Sequence, residues 1–108
     1  MPIPEKISLC EWEYRVIVEK NPTTKQDVST VCWGVIDTNE QVIKVNSTAT
    51  VERAQETILH ELFHAIDERL LFGEEALGEK RIVALAHGVR SLIQGNPELV
   101  QFLQEKPN

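Results

Sequence analysis

Thr57-Ile58-Leu59-His60-Glu61-Leu62-Phe63-His64-Ala65-Ile66-Asp67 is the stretch on which the reading of this chain turns. It contains His60-Glu61-Leu62-Phe63-His64, an HExxH. On a helix, residues i and i+4 lie one turn apart on one face, so two imidazoles at that spacing reach a single metal ion. Glu61 falls on the adjacent face, where a carboxylate meets a metal-bound water. Zinc lowers the pKa of such a water toward ~7, and a glutamate beside it serves as general base. Shuffling this composition produces an HExxH on the order of once in a hundred trials, so the motif is informative without being proof.

The surrounding periodicity is helical from Val51 onward. Ser47-Thr48-Ala49-Thr50 offers N-caps, Leu59, Leu62, Phe63, Ile66 and Leu70 form an apolar stripe, and Gly73 is a natural stop. At 100° per residue the stripe centres about 140° from the two histidines, so it does not account for them. A second helix is expected from about Gly78-Glu79, with Ile82, Leu85, Ala86, Val89, Leu92 and Ile93 inward. Gly88 within it costs about 1 kcal/mol relative to Ala. Asn96-Pro97-Glu98 opens a short third helix through about Gln104.

Upstream the period is two. From Glu11 to Glu19, Trp12, Tyr14, Val16 and Val18 alternate with polar residues, the pattern of a half-buried strand. Val28–Asp37 and Gln41–Asn46 read as two more strands joined in a hairpin through Thr38-Asn39-Glu40. The expectation is an α+β fold: an antiparallel sheet of about three strands, then the HExxH helix and two further helices. With 108 residues the chain has the length of one domain, 1–108, with one small core.

Composition narrows the function. Apolar residues are 42% and charged residues 26%, which argues against a disordered chain. No apolar run approaches the roughly 20 residues of a membrane span, and the start, Met1-Pro2-Ile3-Pro4-Glu5-Lys6, lacks a signal-peptide pattern. A net charge of −6 argues against a nucleic-acid binder. Cys10 and Cys32 are too few for a disulfide framework, and reduced thiols in a cytoplasmic setting are expected.

A catalytic zinc takes three protein ligands and a water, so two histidines need a third partner. A metzincin would place Gly three and His six residues after the second histidine, where Asp67 and Leu70 stand. Cys32, in Val31-Cys32-Trp33-Gly34, lacks a deformylase-type setting and is expected to pack beside Trp33. Glu79 is the preferred third ligand. It lies three residues before Ile82 and seven before Ala86, at the edge of the second helix's inner face. Glu75 and Glu74 are the alternatives. Asp67 is placed to accept from a ligand imidazole, or to pair with Arg69 or Lys80. His87 reads as structural, Trp12 and Trp33 as core aromatics, and Tyr14 as a packed strand residue.

Thr57–Asp67, the upstream strand ending Val42-Ile43-Lys44-Val45-Asn46, and Glu79–Ala86 with Asn96-Pro97-Glu98-Leu99 downstream resemble small zincin-like proteins of phages and prophages. Those are related to the ImmA/IrrE metallopeptidases of gluzincin type. The resemblance covers about residues 34–104, and only the HExxH is a sharp motif. It implies an acidic third ligand in an E-x-E-A-x-x-F-A pattern on the following helix. The first acidic position falls on Glu79; the second falls on Arg81, a departure. It also implies a sheet edge, here near Gln41–Asn46, that receives an extended peptide by strand addition. The expected activity is zinc-dependent hydrolysis of a peptide bond in a protein substrate, such as a regulatory protein. The alternative is a non-catalytic, zinc-stabilised protein-interaction module, possible for a chain of phage origin.

Overall fold

The computed structural model describes residues 2–20, 22, 31–72 and 77–107. They form a small α+β domain of four strands and three helices: β1 (Lys6–Leu9), β2 (Trp12–Glu19), β3 (Gly34–Asp37), β4 (Val42–Asn46), α1 (Val51–Leu70), α2 (Gly78–Gly95) and α3 (Pro97–Gln104). No described helix is long and apolar enough to cross a membrane.

The sheet is mixed, in the order β1-β2-β4-β3, and corrects the expected antiparallel sheet of three strands. β1 pairs antiparallel with β2 from Lys6↔Arg15 to Leu9↔Trp12. The turn between them places Cys10 at φ 54. β3 and β4 form the expected hairpin, with Asp37 Oδ1 accepting from the Asn39 and Glu40 amides at 3.0 Å. β2 and β4 are parallel, from Arg15↔Val42 to Glu19↔Asn46. The strand expected over Val28–Asp37 begins at Gly34 within the described residues; positions 28–30 lie outside them.

Residues 41–46 are therefore not a sheet edge. Val42, Ile43 and Val45 are all buried, which is what a strand covered on both faces requires. Placed at the rim, this most buried strand would leave both its side chains and its backbone groups uncovered. The rims are β1 and β3.

Asn46 turns the chain from sheet to helix. It is buried, donates through Nδ2 to the Cys32 carbonyl at 2.9 Å, and accepts through Oδ1 from the Thr48 amide at 2.9 Å and hydroxyl at 2.7 Å. Four residues later Thr50 caps α1, its Oγ1 accepting from the Arg53 amide at 3.2 Å.

α1 has neighbours on two sides, the sheet and α2. Its most buried positions are Ala54, Thr57, Glu61, Ala65 and Asp67. This corrects the expected stripe: Leu59, Leu62, Phe63 and Ile66 are only half-buried, and Leu70 is exposed. Small residues occupy the face where backbones approach closely, and the larger ones fill the flanks. The core gathers Tyr14, Ile43, Val45, Ala54 and Ala65, with Val16, Ile36, Ile58 and Leu62 against them. Trp12 is half-buried and packs against this core, as expected; Trp33 is half-buried and lies outside it. Each carries an arginine over its ring, Arg69 and Arg53 respectively, at 5.2 Å. Arg69 also donates to the Tyr14 hydroxyl at 3.3 Å and to the Thr38 carbonyl, tying the end of α1 to the sheet.

Gly34 sets how closely α1 seats. A Cβ there would lie 2.3 Å from Thr57 Cγ2 and 3.0 Å from the Lys44 carbonyl oxygen. Gly34→Ala is expected to destabilise by about 1–3 kcal/mol, the usual cost of overpacking. Adding Thr57→Ser, which removes the struck methyl, should recover part of the lost melting temperature. Thermal melts of the two variants check this; an unchanged melting temperature for Gly34→Ala would refute the close approach.

On α2 only Ile82 and Ala86 are buried; Leu85, Leu92 and Ile93 of the expected inner stripe remain exposed. On α3 no residue is buried, and Leu99, Phe102 and Leu103 are exposed. α2 packs chiefly on α1, with a smaller contact to α3, and much of its apolar surface stays exposed.

Candidate metal centre

The structure brings together His60, His64 and Glu79, each offering one ligand atom within 4.8 Å of the others. The two rings come from consecutive turns of α1 and meet edge to face, centroids 4.7 Å apart. Glu79 comes from the first turn of α2. Its Oε1 lies 2.5 Å from His60 Nε2 and its Oε2 3.0 Å from His64 Nε2. It reaches them because Ile82 and Ala86, one and two turns on, are the residues that seat α2 on α1. Its negative charge also suits the helix N-terminus.

Glu61 completes the group from the other side. It is buried, and its Oε1 lies 3.2 Å from His60 Nδ1. A carboxylate on Nδ1 fixes the ring so that Nε2 points at the cluster, the usual support of a metal-binding imidazole. Among the described residues Oε2 of Glu61 has no protein partner, and the residue lines the adjoining groove.

The donor set, two imidazoles and one carboxylate, could hold a metal ion. Donors about 2.0–2.1 Å from a tetrahedral ion lie roughly 3.3 Å from each other. The two carboxylate–imidazole spacings lie within about 1 Å of that, and all three ligand atoms lie within 4.8 Å of one another.

Hydrogen bonding to Glu61, and then Glu79, outweighs desolvation and raises the His60 pKa from 6.5 to about 9. Desolvation would raise the Glu79 carboxyl, but His60 and His64 hold it below its ordinary value. The raised His60 pKa stabilises the metal-free fold fully below pH 6.5, and this contribution is lost as pH rises through about 9. A metal needs the neutral ring. Zinc binding at pH 7.5 should therefore release about one proton from His60, and release should fade above pH 9. Calorimetry in buffers of different ionisation heat measures it; release that does not fall between pH 7.5 and 9.5 would contradict this account.

The other expected site residues are placed as follows. Asp67 is buried and lies outside the three-residue cluster. Glu74 and Glu75 lie outside the described residues. Cys32 also lies outside the cluster, its thiol donating to the Gly34 carbonyl at 3.4 Å. His87 belongs to a clasp between α1 and α2: its Nδ1 is 2.6 Å from Glu56 Oε1, and Arg90 reaches Glu56 at 3.0 Å and Glu52 at 2.9 Å. His87 and then Arg90 hold the Glu56 pKa below its ordinary value.

Beside the cluster lies a groove of about 380 Å³ between residues 31–34, α1 and α2. Along α1 it is lined by Arg53, Glu56, Thr57, His60 and Glu61, and across it by Trp33 and Val83. The HExxH spacing alone does not mark this surface. The signal was available, since positions 53, 56, 57, 60 and 61 follow the i, i+3, i+4, i+7, i+8 spacing of one helix face. No family model, curated protein or solved structure matches the chain.

Proposed function

We propose that the protein is a small zincin-like hydrolase that cleaves a peptide bond with a zinc ion held by His60, His64 and Glu79. The observation that carries the reading is the meeting of Glu79 with both histidines, 2.5 and 3.0 Å away, beside a groove lined by Glu61. When bound, the metal supplies Lewis acidity toward the scissile carbonyl and an acidified water. Glu61 accepts a proton from that water as it attacks and returns it to the departing amine. His60 is held in place for this work by Glu61 at Nδ1. The rim of β3, unpaired among the described strands and carrying Gly34 at the groove, takes the peptide-pairing role expected of residues 41–46.

The exposed apolar residues of α2 and α3 favour a second reading, a zinc-stabilised module that binds another protein through them. Metal content measured beside hydrolysis of a quenched-fluorescent peptide library separates the two. About one zinc per chain with zinc-dependent cleavage supports the hydrolase; one zinc with a fourth protein donor and no cleavage supports the module. Absence of zinc uptake at neutral pH would overturn both.

A further inference from the structure

The groove holds a charged group that lies outside the cluster and has no ion-pair partner among the described residues. Arg53 lines it two helical turns from His60, on the same face of α1. Its guanidinium lies over the Trp33 ring at 5.2 Å, which restricts it to the groove wall. Among the described residues no carboxylate pairs with it. The other acidic residue along this wall, Glu56, is already held by His87 and Arg90. Between Arg53 and His60 the α1 wall carries Glu56 and Thr57, and the facing wall is apolar or small, with Trp33, Gly34, Val83 and Ala86. So the groove has a reactive end at His60 and Glu61, a middle faced by an apolar wall, and at its other end Arg53, a cation without an ion-pair partner among the described residues.

We propose that this groove selects a peptide carrying a carboxylate about three residues from the bond held at the cluster, with Arg53 binding that carboxylate. The proposal rests on the reading of the cluster as a peptide-hydrolysing site and names its substrate class. The spacing follows from helix and strand geometry. Seven residues of helix advance about 10 Å, and an extended peptide covers that in three residues at about 3.3 Å each. An arginine offers a carboxylate two parallel N–H donors, a fit that a neutral amide does not match. The net charge of −6 discourages acidic ligands elsewhere on the surface, so a local cation discriminates by position. An acidic side chain and a free peptide C-terminus present the same group, and both are admitted by this chemistry.

The test is fluorescence anisotropy with zinc-loaded Glu61→Gln protein, which binds without turnover. The probes are labelled, end-capped alanine–leucine heptapeptides with one glutamate, glutamine or lysine, and the glutamate-free peptide with its C-terminus as acid or amide. The glutamate peptide should bind about five- to tenfold tighter than the glutamine peptide. Arg53→Met should erase that difference, and Arg53→Glu should turn the preference toward the lysine peptide. Tighter binding of the free acid than of the amide would identify a C-terminal carboxylate as a source. Equal affinities for glutamate and glutamine, a preference that survives Arg53→Met, or no binding up to about 1 mM would overturn the proposal. An Arg53-dependent preference without cleavage by zinc-loaded wild type would overturn only the hydrolase reading. Cleavage without the preference would overturn only the subsite.

Discussion

Glu61→Gln should retain about one zinc per chain while peptide hydrolysis falls by roughly 10²–10⁴-fold, the range that a positioned general base contributes. Glutamine matches glutamate in volume, so the buried position facing Gly34 and Thr57 is refilled. Its amide also still reaches His60 Nδ1, where the carboxylate Oε1 lies 3.2 Å away. What it cannot do is take the proton from the attacking water. Metal content by mass spectrometry and turnover of one peptide, measured on the same preparation, check the prediction. Loss of zinc in step with activity would make Glu61 a support for His60 rather than the base, and unchanged activity would remove it from the chemistry.

Glu79→Ala should have the opposite profile, losing the metal first and the activity as a result. Glu79 supplies the one carboxylate of the donor set, and its two oxygens touch both imidazoles. Removing a supporting partner of a metal ligand typically costs 10–100-fold in affinity, so removing the ligand itself should cost more than about a hundredfold. Its side chain is 63% exposed, so the fold should lose little. The readouts are competitive zinc titration against a chelating dye and a thermal melt of the metal-free protein. Zinc affinity within a few-fold of wild type would move the third ligand elsewhere, and the search would turn to Glu74 and Glu75.

The parts of this arrangement that could be read in the sequence are those fixed by local geometry. His60 and His64 face one way because four residues make one helical turn. Glu79 reaches them because Ile82 and Ala86 set the phase of α2. The Thr50 cap and the Asp37 turn are likewise short-range. The features that could not be read depend on distant partners. β1 is four residues long, with Ile7 and Leu9 as its only alternation, too short to stand out from a loop. The parallel pairing of β2 with β4 joins strands that are not neighbours in sequence. The buried side of α1 was misjudged because an apolar stripe points to one covered face, whereas α1 has two covered sides. There Ala54 and Ala65 go deepest because they are small.

The strand order has a further consequence, for how copies of the chain behave toward each other. An exposed strand rim is a template for pairing with the same rim on another molecule, the first step of aggregation. Here both rims are four residues long, and each carries a charge at one end, Lys6 on β1 and Asp37 on β3. The eight-residue β2 and the apolar β4, which would propagate such stacking best, sit between them. Among the described strands, the two best suited to such stacking are already paired on both sides within their own molecule.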